Sequence, residues 1–161
     1  EVDAVFSKGI PDYDTLMSMD DLNGLIKETM RLQPTGFGIT RTATEDFVFK
    51  NFQVFKGEDV LLFTTADHTN AKYFPDPLKF DIERYREPRK EHRQAVYSPF
   101  GKGPHACIGA GIAELMMPLN MGILIYKLNI EADCDLKKVK TIFNPAPVLS
   151  DNFRIRTSRR H

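Results

Sequence analysis

Residues 100–109, with the sequence FGKGPHACIG, constrain this chain more than any other segment. Cys107 closes a loop that contains two glycines and a proline, and an apolar, helix-compatible run follows from Ile108. Glycine lets a backbone come close to a large flat ligand, because it has no Cβ atom and accepts positive φ angles. A thiolate at the start of a helix is stabilised by the free N–H groups and the positive end of the helix dipole. The pattern therefore predicts a ligand-binding loop whose thiolate coordinates a metal.

This loop resembles the haem-binding signature of the cytochromes P450, which reads Phe-Gly-x-Gly-x-(Arg or His)-x-Cys-x-Gly with an Ala four residues further on. The matching positions, without a gap, are Phe100, Gly101, Gly103, His105, Cys107, Gly109 and Ala113. The resemblance implies haem b as the cofactor and Cys107 as the axial ligand of its iron. It also implies that Ala106 and Ile108, the neighbours of Cys107, contact the haem. Without this pattern, Cys107 alone would be read as a buried, inert thiol.

Two further residues are expected to bind the haem propionates, which need cations or hydrogen-bond donors. His105 occupies the position where the family places Arg or His. Arg41 lies seven residues after Pro34 and matches a basic position on a strand that lines the haem edge. Both are therefore predicted to be propionate partners.

A charge cluster is predicted away from the loop. Glu28 and Arg31 are three residues apart on a predicted helix, and they resemble the Glu-x-x-Arg pair of the same family. The stretch FDIERY at 80–85 resembles the family's Phe-x-Pro-Glu-Arg-Phe and would add Arg84. A buried carboxylate between two guanidinium groups is satisfied by hydrogen bonds from both. We expect this cluster to have a structural role, which is to hold an irregular segment against the haem-bearing core.

The composition fits an ordinary soluble globular protein, with 161 residues, 42% apolar residues and 27% charged residues. Its 22 basic and 22 acidic residues cancel, which gives no indication of nucleic acid as a partner. No apolar run reaches about 18 residues, so no transmembrane helix is expected. No signal peptide is recognisable either. The localisation of the protein stays open, and the chain as given is expected to be soluble.

The predicted fold is mixed α+β and mainly α, as in the C-terminal part of the P450 fold. Apolar residues at helical spacing predict a helix that ends near Pro34. A small antiparallel sheet is expected between residues 39 and 66, and an irregular meander follows at 67–93. After the cysteine loop, the apolar run 108–128 predicts a long buried helix. Residues 1–161 are interpreted as a single partial domain with a flexible tail at 156–161.

Four other residues of potential chemical interest are not assigned to the haem. His68 and His92 have no spaced carboxylates or cysteines near them, so both are predicted to lie at the surface. Lys102 is either a contact for an acidic electron donor or a solvated loop residue. Cys134 is expected to be a plain reduced thiol, because two cysteines do not make a disulfide framework or a zinc site.

By resemblance, the implied activity is monooxygenation, in which one oxygen atom of O₂ is inserted into an apolar organic substrate. The implied partners are a small apolar substrate, an electron-donor protein (a reductase or ferredoxin) and the N-terminal P450 portion. No catalytic residue is identifiable in this segment. One alternative is a truncated or split P450 chain, suggested by the uncapped start at Glu1, that binds haem or a partner chain without catalysis of its own. A second is a P450 relative that rearranges peroxides, and a third is a domain without haem in which Cys107 is structural.

Overall fold

The computed structural model describes residues 1–143 and 147–160, and these contain four α-helices and eight short β-strands. The helices are α1 (Val2–Phe6), α2 (Tyr13–Met17), α3 (Asp20–Leu32) and α4 (Ala110–Lys127). Together with small antiparallel two-stranded sheets they make the mixed α+β fold that the sequence predicts.

The hydrophobic core lies where α1, α2 and α3 pack on one side of α4. Leu16, Met19 and Leu22 are almost completely buried there. The ring of Phe6 lies directly against Gly122 of α4, at the place where a Cβ atom would stand. The absence of a side chain at Gly122 therefore permits the close approach of α1 to α4.

The N-terminus of α3 is capped from a distant part of the chain. Met19 occupies the N-cap position and contributes no side-chain hydrogen bond. Instead, the Glu1 carboxylate accepts the backbone N–H groups of Asp21 at 3.3 Å and Leu22 at 2.9 Å. A carboxylate at this end of a helix also interacts favourably with the helix dipole.

The four strands between α3 and the meander form two separate two-stranded sheets. They are β1 (Ile39–Thr42), β2 (Phe47–Phe49), β3 (Phe52–Val54) and β4 (Asp59–Leu62). The antiparallel β2–β3 hairpin is enclosed in sequence by the antiparallel pair β1–β4. Lys50, in the hairpin turn, has a φ of 55°, which a tight turn of this kind requires. The predicted small antiparallel sheet is therefore present, but it is divided into two pairs.

The last third of the chain repeats this arrangement of one pair enclosing another. Its strands are β5 (Leu128–Ala132), β6 (Thr141–Phe143), β7 (Pro147–Leu149) and β8 (Ile155–Arg159). β8 pairs antiparallel with β5 from Leu128 opposite Arg159 to Ala132 opposite Ile155. Residues 156–159, which the sequence analysis assigns to a flexible tail at 156–161, form backbone hydrogen bonds in this ladder. His161 lies outside the described residues.

The segment from 63 to 109 contains no described α-helix or β-strand, in agreement with the predicted meander. It makes four single 3-10 turns, at Ala66–Thr69, Ile82–Tyr85, Glu91–Arg93 and Gly103–His105. The turn at Ile82–Tyr85 packs on α3, where Gly24 leaves room for it. A Cβ atom at Gly24 would lie only 3.1 Å from the carbonyl oxygen of Ile82.

Helix α4 differs from the prediction of a buried helix. Only Pro118 and Gly122 are buried, whereas Ile112 is 74% exposed and Met116 and Leu124 are each 44% exposed. The apolar residues go almost all round the helix, but α1, α2 and α3 cover only one side of it. Among the described residues, no helix is long and apolar enough to cross a membrane.

Candidate functional site

The Cys107 loop owes its shape to two glycines and one backbone hydrogen bond. Gly101 and Gly103 have φ angles of 70° and 73°, values at which a side chain would be strained. The N–H of Cys107 donates to the carbonyl oxygen of Phe100 at 2.8 Å and closes the loop. The Cys107 carbonyl then accepts the N–H of Ala110 at 3.2 Å, where α4 begins. The cysteine therefore lies immediately before the first turn of a helix, as the sequence predicts.

The surface around the thiol is exposed and apolar. Cys107 itself is exposed, and Ile108 beside it is fully exposed at 105%. Ile112, four residues further on, is 74% exposed. Gly109 adds no side chain over the sulfur: a Cβ atom there would lie 3.8 Å from the Cys107 Sγ. Exposed apolar residues grouped around a thiol in this way are typical of a ligand-binding surface.

The two predicted propionate partners lie on different elements. His105 is exposed and ends the 3-10 turn Gly103–His105. Arg41 is on β1, opposite Val60 of β4, and its Nη1 donates to the Thr40 carbonyl at 2.8 Å. No hydrogen bond within the described residues joins these two side chains to each other or to Cys107.

A cavity of about 510 Å³ lies behind the loop, between α3, α4 and the segment 97–101. Its walls include Phe100, Lys27, His92 and Glu114, whereas Cys107 does not line it. Burial lowers the pKa of Lys27 and of His92. The Lys27 amine and the His92 imidazole are therefore less readily protonated than they would be in water. His92 was predicted to lie at the surface, but the structure shows it half-buried. Its Nδ1 atom is buried without a hydrogen bond to any described residue.

Glu28 forms the centre of the charge cluster. Its two carboxylate oxygens accept Nε and Nη2 of Arg31 at 2.7 and 2.8 Å, and one also accepts Nε of Arg84 at 3.2 Å. The Tyr85 hydroxyl at 2.7 Å and the backbone N–H of Asp81 at 3.0 Å complete the set. The structure thus brings together Glu28, Arg31 and Arg84, and it adds two donors that the sequence pattern did not indicate.

Glu91 is a fourth charged member of the cluster that sequence reasoning missed. It is 6% exposed, and its carboxylate accepts Nη1 of Arg84 at 3.0 Å. Arg89 also pairs with Glu91, at 2.7 Å. With Glu91 the buried core of the cluster has two carboxylates and two guanidinium groups, so no charge is left over. Two buried arginines need two buried carboxylates, so a second acidic residue near Arg84 could have been expected from the sequence.

The guanidinium groups also hold the meander through its backbone carbonyls. Arg31 donates to the carbonyl oxygens of His68 at 2.6 Å and Pro77 at 2.7 Å. Arg84 donates to those of Pro75 at 2.6 Å and Asp76 at 2.7 Å. Two side chains thereby hold four backbone carbonyl groups of the meander, at residue 68 and at residues 75–77.

The pKa of Glu28 reflects these contacts. Burial would raise the pKa of this carboxyl, but hydrogen bonds from Arg31, Tyr85 and the Asp81 backbone outweigh it, and the pKa lies below its ordinary value. Burial and the bond to Glu28 raise the pKa of Tyr85 far above its ordinary range, so its hydroxyl stays a donor. Glu28 is therefore ionised and fully hydrogen-bonded near neutral pH.

His68 was predicted to lie at the surface, and this prediction is wrong. The side chain is 1% exposed, stacked on Tyr97 at a centroid distance of 5.4 Å and edge-on to Phe74 at 6.3 Å. Its Nε2 accepts the backbone N–H of Ser98 at 3.0 Å. The partners are a backbone group and aromatic rings, and neither leaves a recognisable spacing in the sequence.

The residues of the loop fit a flat metal-bearing cofactor. The donor is a soft sulfur at the N-terminus of an 18-residue helix, whose first N–H groups have no acceptor within the helix. Apolar side chains and two positive-φ glycines surround it, so a planar ring can approach the backbone. Such a set suits haem iron held by a thiolate. The described residues contain no group of three or more histidines, cysteines and carboxylates that would hold a bare metal ion.

Comparisons with known proteins assign the chain to a family. The cytochrome P450 family model matches residues 1–153. Cytochrome P450 6d3 of Musca domestica is 34% identical over 99% of the chain and 32% of its own length. Probable cytochrome P450 12d1 distal, mitochondrial, of Drosophila melanogaster is 33% identical over 90% of the chain and 30% of its own length. Cytochrome P450 3A17 of Cavia porcellus is 36% identical over 70% of the chain and 23% of its length. The chain spans about a third or less of the curated relatives that it matches.

Proposed function

Since this chain belongs to the cytochrome P450 family, we propose that it is the haem-thiolate portion of a P450 monooxygenase. Cys107 would hold the iron of haem b through its thiolate. The reaction inserts one oxygen atom of O₂ into a small apolar organic substrate. An electron-donor protein and the N-terminal portion of the P450 fold are its partners in that reaction.

One observation carries this proposal: an exposed thiol lies in a glycine loop closed by its own backbone N–H and surrounded by exposed apolar side chains. A structural cysteine would instead be buried, as free cysteines usually are. The exposure of Ile108 and Ile112, one and five residues after Cys107, has no structural benefit for the chain alone. A flat apolar ligand over the sulfur would cover all three side chains at once.

Each part of the loop has a definite task in this proposal. Cys107 supplies the thiolate, and the N–H groups at the start of α4 stabilise its negative charge. The remaining residues form the surface beneath the ring, and they are Phe100, Gly101, Gly103, Ala106, Ile108, Gly109 and Ala113. When bound, haem supplies the activation of O₂ and the transfer of oxygen. His105 and Arg41 are the proposed donors to its two propionates.

Lys102 is the proposed contact for an acidic electron donor. It is exposed and lies five residues before Cys107. In the structure its Nζ donates to the Ala95 carbonyl, which holds the lysine against the segment that leads into the loop. A donor protein with a carboxylate at its interface would compete for this ammonium group.

A second candidate function follows from the exposed side of α4. Ile112, Met116 and Leu124 are all exposed on this helix, although soluble helices normally bury such residues. In this alternative the chain binds haem or a partner chain without independent catalysis. Turnover of an apolar substrate by the chain, measured with and without an N-terminal P450 portion, separates the two functions.

The ligand assignment is tested by a spectrum. The purified chain is incubated with haemin, reduced and exposed to carbon monoxide, and the expected result is the red-shifted Soret band of thiolate ligation. Cys107→Ser should abolish that band, whereas Cys134→Ser, the matched control in the same chain, should retain it. A band that survives in Cys107→Ser, or a histidine-type band in the unaltered chain, would contradict the assignment.

A further inference from the structure

His68 connects the charge cluster to the Cys107 loop. Its carbonyl oxygen accepts Nη1 of Arg31 at 2.6 Å, and its Nε2 accepts the N–H of Ser98 at 3.0 Å. Both bonds are between buried groups, since Arg31 and His68 are each 1% exposed and Ser98 is 8% exposed. One residue therefore joins α3 to the chain segment that leads directly into the loop.

From Ser98 the hydrogen bonds continue to the cysteine. The Ser98 carbonyl accepts the N–H of Gly101 at 3.0 Å, and its hydroxyl donates to the Thr64 carbonyl at 2.8 Å. Two residues after Ser98, the Phe100 carbonyl accepts the N–H of Cys107 at 2.8 Å. The position of the Ser98 backbone thus determines where the loop starts and where its closing bond is made.

The imidazole is suited to this role because its ring is fixed and neutral. Stacking on Tyr97 and the edge contact with Phe74 hold the ring plane. An Nε2 atom that accepts a backbone N–H carries no proton. Burial lowers the pKa of His68, which favours the same neutral form.

We propose that His68 is a positioning residue, which acts through the Ser98 N–H to hold the Cys107 loop in the conformation that ligates iron. This rests on the proposed function, because it concerns the same thiolate. Without an acceptor at Nε2, the buried Ser98 N–H would be left unsatisfied, which is costly. The segment would move to find water or another acceptor, and the Phe100 carbonyl would move with it.

The test compares two replacements of His68 in the full chain. His68→Phe retains a flat ring for the contacts with Tyr97 and Phe74 but has no acceptor. His68→Gln places a carbonyl oxygen near the position of Nε2 and can accept the Ser98 N–H. His92→Phe is the matched control, because His92 is a half-buried histidine with no hydrogen bond to the loop among the described residues.

Two measurements are made on each variant. The first is amide hydrogen exchange at Ser98 without haem, which should become at least about fivefold faster in His68→Phe and stay near the original rate in His68→Gln and His92→Phe. The second is the reduced carbon monoxide spectrum after addition of haemin. His68→Phe should lose part of the thiolate-type band to a non-thiolate band, and His68→Gln should recover it.

Each contrary outcome has a distinct meaning. If folded His68→Phe retains both the Ser98 exchange rate and the thiolate band, the proposal is overturned. It is also overturned if His68→Gln gives no recovery, or if both variants lose their helical circular dichroism, because the ring is then needed for packing only. If the unaltered chain shows no thiolate band, the proposed function fails, while Ser98 exchange still decides whether His68 holds the loop.

Discussion

The Glu28 cluster and the Cys107 loop differ in how far the chain itself satisfies their polar groups. Glu28, Arg31 and Arg84 are at most 1% exposed, and every oxygen of the Glu28 carboxylate has at least two donors. Cys107 is exposed, and its thiol makes no hydrogen bond to any described residue. One region is complete within this chain, whereas the other presents an open surface.

This difference indicates different functions for the two regions. A buried carboxylate with five hydrogen bonds is costly to disturb and has no room for a ligand. An exposed thiol beside exposed isoleucines adds little to stability and is accessible to a ligand. The cluster therefore holds the meander in place, and the loop is the surface that we propose for ligand binding. His68 and Ser98 form the link between them.

The largest expected effect is that of Glu28→Gln on folding. The change removes the negative charge from between two buried guanidinium groups and leaves Glu91 as the remaining buried carboxylate beside them. Breaking a buried ion pair in this way costs about 3–5 kcal/mol. Urea unfolding followed by circular dichroism measures the loss.

The matched control for this prediction is Glu45→Gln, which neutralises an exposed carboxylate. Its expected change in the free energy of unfolding is within about 0.5 kcal/mol. Equal stability of the two variants would mean that the cluster does not hold the meander as described.

Acid should weaken the Glu28 cluster. The folded pKa of Glu28 lies below the ordinary value of 4.5. Its contribution to stability is therefore fully present above about pH 4.5 and is lost as the pH falls through the lower folded pKa. The urea midpoint should decline below pH 4.5 in the unaltered chain and decline less steeply in Glu28→Gln. Parallel declines would show that other carboxylates dominate acid unfolding.

The smallest effect is expected for Cys107→Ser in the chain without haem. An exposed side chain without hydrogen bonds to the described residues should change the free energy of unfolding by no more than about 0.5 kcal/mol. Thermal melting with and without added haemin makes the comparison informative, because a ligand stabilises the folded state that binds it. Haemin should raise Tm more in the unaltered chain than in Cys107→Ser. A large loss of stability without haemin would instead make Cys107 a structural residue.

The sequence was sufficient where a local pattern sets the structure. Glu28, Arg31 and Arg84 were predicted to meet because the spacing on α3 and the FDIERY stretch both carry a family pattern. A small antiparallel sheet was predicted between residues 39 and 66, and the β2–β3 hairpin forms there around a turn at Lys50 that depends on neighbouring residues only.

The sequence was insufficient where contacts come from distant backbone or from missing neighbours. His68 has its hydrogen bond from the Ser98 N–H, and backbone donors leave no side-chain signature. The apolar run of α4 predicted burial, but burial depends on what covers each face, and one face stays exposed here. The residues at 156–159 looked like a basic tail, although their pairing with β5 is determined by a strand about 25 residues away.

The most direct test of the central claim is the alkylation of the two cysteines by iodoacetamide, followed by mass spectrometry, with and without haemin. Cys107 is exposed and Cys134 partly exposed, so both should be labelled in the chain without haemin. If Cys107 is the iron ligand, haemin should protect Cys107 strongly and leave the labelling rate of Cys134 unchanged. Equal labelling of Cys107 with and without haemin, in a chain that has taken up haem, would contradict the account.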